Sequence, residues 1–232
     1  MRETMLDWDS SFFGFGVASL QIDDGTDENI LSERLAMGFP EVLYIYHSSS
    51  SFEHYQQPLL KYSAKFLGEQ ITFCKAVEKC TLRNFNSINE VSLLSRKLLE
   101  LAYASGHRSR FSLDPSFRPF FHKLYHEWIR NSIDDPSVKV FTLADAGGLH
   151  GFATASVVGN SGKIGLIATA EKSRGLGVGL KLLQRCEQYY DELGIPVCRV
   201  VTQSCNLGAC KLYSKAGYVI ESTQCVWHLW NR

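Results

Sequence analysis

The sequence has no excess of either charge: 24 basic side chains balance 24 acidic ones among 232 residues. Proteins that bind nucleic acid or anionic membranes usually present a clear basic excess, so no such partner is predicted. No apolar run approaches the ~20 residues that span a bilayer. The segment from Met1 to Asp9 also has no apolar stretch of the kind found in a signal peptide. These absences predict a chain without a membrane span, located in the cytoplasm.

Paired cysteines and metal-ligand clusters are also lacking. The seven cysteines are an odd number and form no C-x-x-C pair, which argues against a disulfide framework or a zinc site and favours reduced thiols. His122 and His126 stand at i, i+4, a spacing seen in metal sites. No third ligand accompanies them, so a solvated helix face is favoured and no metal is predicted.

One turn is rich in glycine. The segment Arg174-Gly175-Leu176-Gly177-Val178-Gly179 follows an apolar run and precedes a helical pattern that begins at Leu180. Glycines let the backbone approach a ligand closely, and a helix start presents unpaired N–H groups and a positive dipole end. The pattern predicts a phosphate or pyrophosphate site. The spacing fits neither G-x-G-x-x-G nor the P-loop. A strand-to-helix turn without any ligand remains the alternative.

The hydrophobic pattern predicts alternating strands and helices throughout. In residues 1–76 it predicts strands at 16–22, 41–47 and 70–76, with helices at 28–37 and 52–66 between them. From Lys79 onward it predicts strands at 80–83, 139–144, 151–158, 163–169, 197–202, 218–221 and 224–230, with helices at 88–105, 119–131, 180–193 and 207–216. Asn86 or Ser87 is the expected cap of the helix at 88–105, and residues 108–119 are expected to form a loop.

Two motifs carry a family resemblance. The first is R-x-x-G-x-G at Arg174, Gly177 and Gly179, and the second is N-x-x-A-x-x-L-Y-x-x-x-G-Y from Asn206 to Tyr218. Together with the order of elements from residue 79, they resemble the GNAT N-acetyltransferase superfamily. The resemblance implies an α/β fold with a mixed sheet, the GNAT acyl-CoA N-acyltransferase fold. A closer resemblance, described next, implies a reduced GNAT-like domain at 1–76 and an acetyltransferase domain at 77–232.

A closer resemblance extends over most of the chain. Similar segments occur in the dTDP-fucosamine acetyltransferase family, bacterial GNAT enzymes of enterobacterial common antigen synthesis: Leu6 to Gly14, Ser109-Arg110-Phe111, Trp128-Ile129, Val201 to Asn206 and Glu221-Ser222-Thr223. This resemblance implies acetyl transfer to the 4-amino group of a dTDP-linked amino sugar. The region from 48 to 75 departs from that family and leaves its N-terminal acidic residue without a firm counterpart, Glu69 being the nearest.

The resemblance also implies a donor site for acetyl-CoA as cosubstrate. The pantetheine arm is expected to pair with the free edge of the strand at 163–169, where the amide of Ile167 or Ala168 would face the thioester oxygen. The implied donor-binding residues are Ile167, Ala168, Thr169, Arg174, Gly175, Leu176, Gly177, Val178, Gly179 and Asn206. Asn206 is equally well suited to cap the helix that follows it.

Catalytic and acceptor residues are implied in the same way. Tyr213 is the expected proton donor to the departing thiolate, because a phenol stays protonated at neutral pH; a buried packing tyrosine is the alternative. Glu69 is a weaker candidate for the base and is otherwise a surface charge. The expected acceptor-binding residues are Arg108, Arg110, Phe111, Phe121 and Gln203, since guanidinium groups suit phosphates. The aromatic residues among them have core packing as the alternative.

Three functions follow from the sequence. The first is an acetyl-CoA-dependent N-acetyltransferase of a nucleotide amino sugar. The second is a GNAT enzyme for another amine, such as a peptide N-terminus or a small metabolite. The third is a non-catalytic acyl-CoA-binding module. Whether the chain forms a homodimer is left open by the sequence.

Overall fold

A computed structural model describes residues 1–79 and 87–231. Its strands are β1 (Arg2–Met5), β2 (Val17–Gln21), β3 (Val42–Ser48), β4 (Lys65–Ala76), β5 (Ile88–Glu90), β6 (Lys139–Asp145), β7 (Gly148–Val158), β8 (Ser161–Thr169), β9 (Val197–Gln203) and β10 (Val219–Trp230). Its α-helices are α1 (Asp7–Phe13), α2 (Glu28–Ala36), α3 (Phe52–Lys61), α4 (Arg96–Ser105), α5 (Arg110–Leu113), α6 (Phe121–Asp134), α7 (Val178–Glu192) and α8 (Leu207–Lys215).

All ten strands join one mixed sheet in the order β1-β2-β3-β10-β4-β9-β8-β7-β6-β5. Two neighbouring pairs, β2 with β3 and β8 with β9, are parallel, and the others are antiparallel. The predicted α/β class with a mixed sheet is confirmed.

Helices cover both faces of the sheet because the strands alternate apolar side chains between the two sides. On β3, Leu43 and Ile45 pack with α2 and α3, whereas Tyr44 packs with α1, α5 and α6. On β7, Ala153 belongs to the cluster under α7 and α8, whereas Phe152 packs with α4 and α6. We call the side of α2, α3, α7 and α8 the donor face, and the side of α1, α4, α5 and α6 the opposite face.

The first 76 residues and the rest of the chain are interleaved in this sheet. Strand β10, near the C-terminus, pairs with β3 on one side and with β4 on the other. Strand β4 in turn pairs with β9 from Gln70 to Ala76. The N-terminal segment therefore supplies the strand that separates β9 from β10. The division into domains at residue 76 remains a prediction.

Several element boundaries differ from those predicted. The two expected C-terminal strands are one long strand, β10, whose pairing with β4 is interrupted by two register shifts. The expected helix at 88–105 is instead a short strand, β5, followed by α4, which begins after Ser95 because that side chain accepts the Leu98 amide. Residues 110–113 form a helical turn in the predicted loop. The predicted strand at 80–83 and the cap at Asn86 lie outside the described residues.

Within the described ranges, no helix combines the length and apolar character needed to cross a bilayer. Six cysteines in these ranges are free thiols.

Candidate acyl-donor site

The parallel strands β8 and β9 separate toward their C-terminal ends. Their pairing runs from Ser161 with Val197 to Ile164 with Val200 and goes no further. Beyond that point β8 continues to Thr169 and β9 to Gln203. The facing edges of these two ends form a V-shaped gap in an otherwise continuous sheet. An open strand edge offers unpaired amides and carbonyls to an extended ligand.

The strand β8 is irregular where the gap opens. Its pairing with β7 shifts register between Ala153 and Ala155, so Gly165 and Leu166 face Thr154 alone. The Thr154 hydroxyl accepts the Leu166 amide at 2.8 Å. Such a bulge redirects the backbone that follows it. Ile167 and Ala168 come directly after the bulge, and their role as oxyanion donors remains a prediction.

The glycine-rich turn lies at the start of α7. Gly175 and Gly177 adopt left-handed backbone angles, with φ of 79° and 78°, and a Cβ added to either would meet no atom within 4 Å. Lys181 donates to the Gly177 carbonyl in the first bond of the helix. The amides of residues 177 to 180 have no acceptor in the part of the chain that the structure describes. These amides lie at the positive end of the helix dipole and suit a phosphate group.

Gly179 has a different role from the other two glycines. A Cβ at this position would stand 2.8 Å from a methyl group of Leu212 and 3.5 Å from the Thr169 hydroxyl. The absence of a side chain therefore lets the start of α7, the end of β8 and the helix α8 meet closely. In this way the two sequence motifs, which lie about thirty residues apart, are brought to the same end of the gap.

A polar contact attaches the glycine-rich turn to strand β7. Ser173 is buried, and its hydroxyl lies 2.7 Å from His150 Nδ1 on β7. Arg174, Gly175, Leu176 and Gly177 are exposed. The exposed residues are thus free to face a ligand, while Ser173 anchors the turn to the sheet.

Asn206 caps α8 and also contacts β9. Its side-chain oxygen accepts the Ala209 amide at 3.4 Å, and its amide nitrogen donates to the Thr202 hydroxyl at 3.3 Å. The capping role is therefore present in the structure. Its contact with the donor remains a prediction.

Tyr213 lies on α8 against the donor face of the sheet. Its side chain is 2% exposed, and its ring centroid stands 5.4 Å from that of Phe73 on β4. Phe73 pairs with Val200, the residue at which the β8–β9 pairing ends. Burial raises the pKa of the Tyr213 phenol above its ordinary value, so the hydroxyl is protonated at neutral pH. The hydroxyl has no hydrogen-bond partner among the described residues.

Glu69 lies on β4, on the same face as Phe73 but four residues away, a separation of ~13 Å along a strand. Its backbone carbonyl accepts the Ser204 amide at 2.8 Å, and its side chain lies near Cys225 of β10. Strand β9 stands between β4 and the gap. The assignment of Glu69 as the base remains a prediction.

Two of the predicted acceptor residues lie near the end of β9. Gln203 is the last residue of β9, and its side-chain oxygen is buried without a hydrogen-bond partner in the described structure. Arg108 donates to the carbonyl of Cys205, just beyond β9. This bond ties the segment before α5 to the loop that leads into α8.

The other three acceptor candidates lie in the aromatic core between α1, α5, α6 and β3. Arg110 is partly buried: its guanidinium stacks at 4.5 Å from the centre of the Tyr44 ring and donates to the Tyr46 hydroxyl. Phe111 is 3% exposed within this core. Phe121 is partly buried and packs 4.7 Å from Tyr125. Both phenylalanine side chains pack against other aromatic residues, as expected under the alternative of core packing. A role for the three residues in acceptor binding remains a prediction.

Sequence reasoning missed the polar neighbours of Gln203. Gln70 of β4 pairs directly with Gln203, and Gln224 of β10 pairs with Gln70. The available signal was the presence of amide side chains inside strands, where β-branched and aromatic residues are favoured. In residues 1–79 and 87–231, no cluster of three or more His, Cys, Asp or Glu side chains is arranged to hold a metal ion.

Comparison with known families agrees with this geometry. The model of the acetyltransferase (GNAT) family matches residues 105–218. This range contains the gap, the glycine-rich turn and α8. No curated protein matches the chain significantly.

Solved structures share the fold at low sequence identity. A GCN5-related N-acetyltransferase from Sphaerobacter thermophilus superposes with a TM-score of 0.54 and 15% identity, covering 87% of this chain and 64% of its own. A GCN5-related N-acetyltransferase from Kribbella flavida superposes with a TM-score of 0.54 and 12% identity, covering 92% of this chain and 80% of its own. A conserved protein of unknown function from Staphylococcus epidermidis ATCC 12228 superposes with a TM-score of 0.58 and 9% identity, covering 94% of this chain and 84% of its own. The chain therefore spans less than two thirds of the Sphaerobacter protein. The family match at residues 105–218 covers just under half of the chain, and these likenesses show that the chain has the fold of GNAT acetyltransferases.

Proposed function

We propose that the chain is an acetyl-CoA-dependent N-acetyltransferase and that its acceptor is a dTDP-linked amino sugar of the dTDP-fucosamine type. The observation that carries the donor assignment is the alignment of the β8–β9 gap with the unpaired amides at the start of α7. An extended thioester arm would pair with the open edge of β8 while its diphosphate contacts residues 174 to 179. No metal is required by this chemistry.

The reaction needs a neutral amine and a proton for the departing sulfur. The amine nitrogen attacks the thioester carbonyl carbon, forming the C–N bond, while the C–S bond breaks. Tyr213 donates its hydroxyl proton to the sulfur, and the proton lost by the amine passes to water. Because burial raises the pKa of Tyr213, proton transfer is concerted with C–S cleavage rather than preceding it. The phenolate then regains a proton from solvent.

The acceptor assignment is supported by the closer family resemblance and by the surroundings of Gln203. A site that buries an amide oxygen without a protein partner gains from a ligand that donates a hydrogen bond to it. Hydroxyl and amine groups of a sugar supply such donors. The free thiols found in the described ranges accord with a reaction in the cytoplasm.

A thiol-release assay tests this function. The protein is incubated with acetyl-CoA and, separately, with dTDP-4-amino-4,6-dideoxygalactose, the free amino sugar and a set of peptides. Turnover with the nucleotide amino sugar is the expected result, and turnover only with peptides or small amines would move the acceptor to another class. A non-catalytic module would be stabilised by acetyl-CoA, by about 2.7 kcal/mol at a hundredfold excess over Kd, and would release no thiol with any amine.

A further inference from the structure

A polar trough crosses the opposite face of the sheet. It has a volume of about 250 Å³, and its lining includes Arg2, Ser19, Gln21, Tyr46, Gln70 and Gln224. These side chains come from the five adjacent strands β1, β2, β3, β10 and β4. Elsewhere on this face the strands are covered by apolar side chains under α4 and α6. A polar floor of this kind is unusual for the middle of a sheet and marks a site for a polar ligand.

The trough leads to the acyl-donor gap. Gln224 pairs with Gln70, and Gln70 pairs with Gln203, so the three amides lie in one row across β10, β4 and β9 and point to the same face. From the parallel pairing of Ile164 with Val200, and with the extra residue of the β8 bulge counted, Ala168 is level with Gln203 across the gap. The amide row therefore ends where the thioester carbonyl is expected.

Some hydrogen-bonding groups of the glutamine side chains in this row have no partner among the described residues. The Gln203 side-chain oxygen is buried and has no partner in the described ranges. Gln224 donates one bond, at 3.3 Å, to the side-chain oxygen of Gln21. A buried amide oxygen without a partner is costly, so the row is better satisfied when a ligand with hydroxyl or amine donors lies on it.

The charge of the trough is confined to its far end. The residues that line it include one cation, Arg2, and no carboxylate. Arg2 forms no ion pair with any residue that the structure describes. From β1 to β4 the trough spans four strand spacings, ~19 Å. Such a length exceeds that of a single sugar ring and suits an extended acceptor with an anionic group distant from its amine.

We propose that this trough is the acceptor-binding site, and that it recognises a neutral, hydroxyl-bearing ring through Gln70 and Gln224 and a phosphate group through Arg2. The proposal rests on the proposed acetyltransferase function. It names the substrate class as a phosphate-linked amino sugar whose amine projects toward Gln203 and the gap.

The test compares Gln224→Leu with the matched control Gln57→Leu, which changes an exposed glutamine on α3. Leucine keeps the size of the side chain and removes its hydrogen bonds. With Gln224→Leu, KM for the nucleotide amino sugar should rise about 5- to 20-fold, while KM for acetyl-CoA and kcat at saturating acceptor stay unchanged. With Gln57→Leu, all three should match the wild type. An unchanged acceptor KM in Gln224→Leu would overturn the proposal.

Arg2→Gln tests the phosphate contact. It should raise KM for the nucleotide amino sugar and leave KM for the free amino sugar unchanged. An equal change in KM for both acceptors, or no change for either, would show that Arg2 does not bind the phosphate group.

A binding measurement separates failure of this proposal from failure of the catalytic function. Calorimetry with a dTDP-hexose that lacks an amine, in the presence of CoA, reports on the trough without turnover. Weaker binding to Gln224→Leu than to the wild type supports the trough even if no amine is acetylated. Equal binding to both, or no binding to the wild type, would overturn it.

Discussion

Replacing Gly177 with alanine tests the assignment of the glycine-rich turn. Gly177 has a left-handed φ of 78°, and an added Cβ meets no atom within 4 Å. Any effect therefore comes from the backbone angle, which costs an L-residue roughly 1–2 kcal/mol. Because the turn is exposed, the free variant can relax to another conformation, and the ligand must restore the original one. At 1.4 kcal/mol for each factor of ten, CoA should bind about 5- to 30-fold more weakly.

The control is Gly159→Ala, in the turn between β7 and β8. Gly159 also has a positive φ, 58°, with open space around it. This variant should unfold at a lower temperature but bind CoA with the wild-type Kd. Isothermal titration with CoA and with pantetheine, which has no diphosphate, completes the design: Gly177→Ala should weaken only the CoA complex. A Kd for CoA within twofold of the wild type in Gly177→Ala would refute the assignment of these amides to the diphosphate.

Three further predictions concern catalysis and stability. Tyr213→Phe should lower kcat by about 10² to 10³ and leave the Kd for CoA unchanged, as measured by thiol release and titration; an unaltered kcat would remove Tyr213 from the mechanism. His228 is a buried residue of β10, and its Nδ1 lies 2.9 Å from the Asp114 carboxylate. Burial lowers the pKa of His228 to about 4, so between pH 6.5 and pH 4 the unfolded chain binds a proton that the folded chain does not. The free energy of unfolding, measured in urea, should therefore fall by up to about 3 kcal/mol as the pH falls from 6.5 to 4. His228→Gln should reduce this pH dependence. A wild-type free energy of unfolding that stays constant over this range would contradict the prediction. Gly106→Ala would place a methyl group 2.1 Å from the Tyr125 ring and should cost about 1–3 kcal/mol of stability, seen as a lower Tm; an unchanged Tm would show that the ring moves aside freely.

The glycine-rich turn and the cap of α8 were predictable from the sequence because their determinants are local. Glycines at 175 and 177 are needed where the backbone turns left-handed, and the helix that follows exposes its first amides whatever surrounds it. Asn206 was equally recognisable as a cap, since the capping bond joins residues three apart.

The row of amide side chains on β9, β4 and β10 was less predictable because it depends on strand neighbours that are distant in sequence. Gln70, Gln203 and Gln224 form one row only through the pairing of β4 with β9 and β10. Phe111 illustrates the reverse case, since its position beside two arginines favoured a binding role while its side chain packs in the core. Side-chain type alone does not distinguish these two environments.

The sequence by itself determined the α/β class, the glycine turn and the cap of α8, since hydrophobic periodicity, backbone angles and capping bonds act over a few residues. Only the tertiary structure decided that β4 from the N-terminal segment lies between β9 and β10, that β8 and β9 part after Ile164 and Val200, and that Gly179 meets Leu212. Those features depend on strand register and on packing between segments more than thirty residues apart. No local pattern encodes such relations, because they are set by the simultaneous burial of both faces of one sheet.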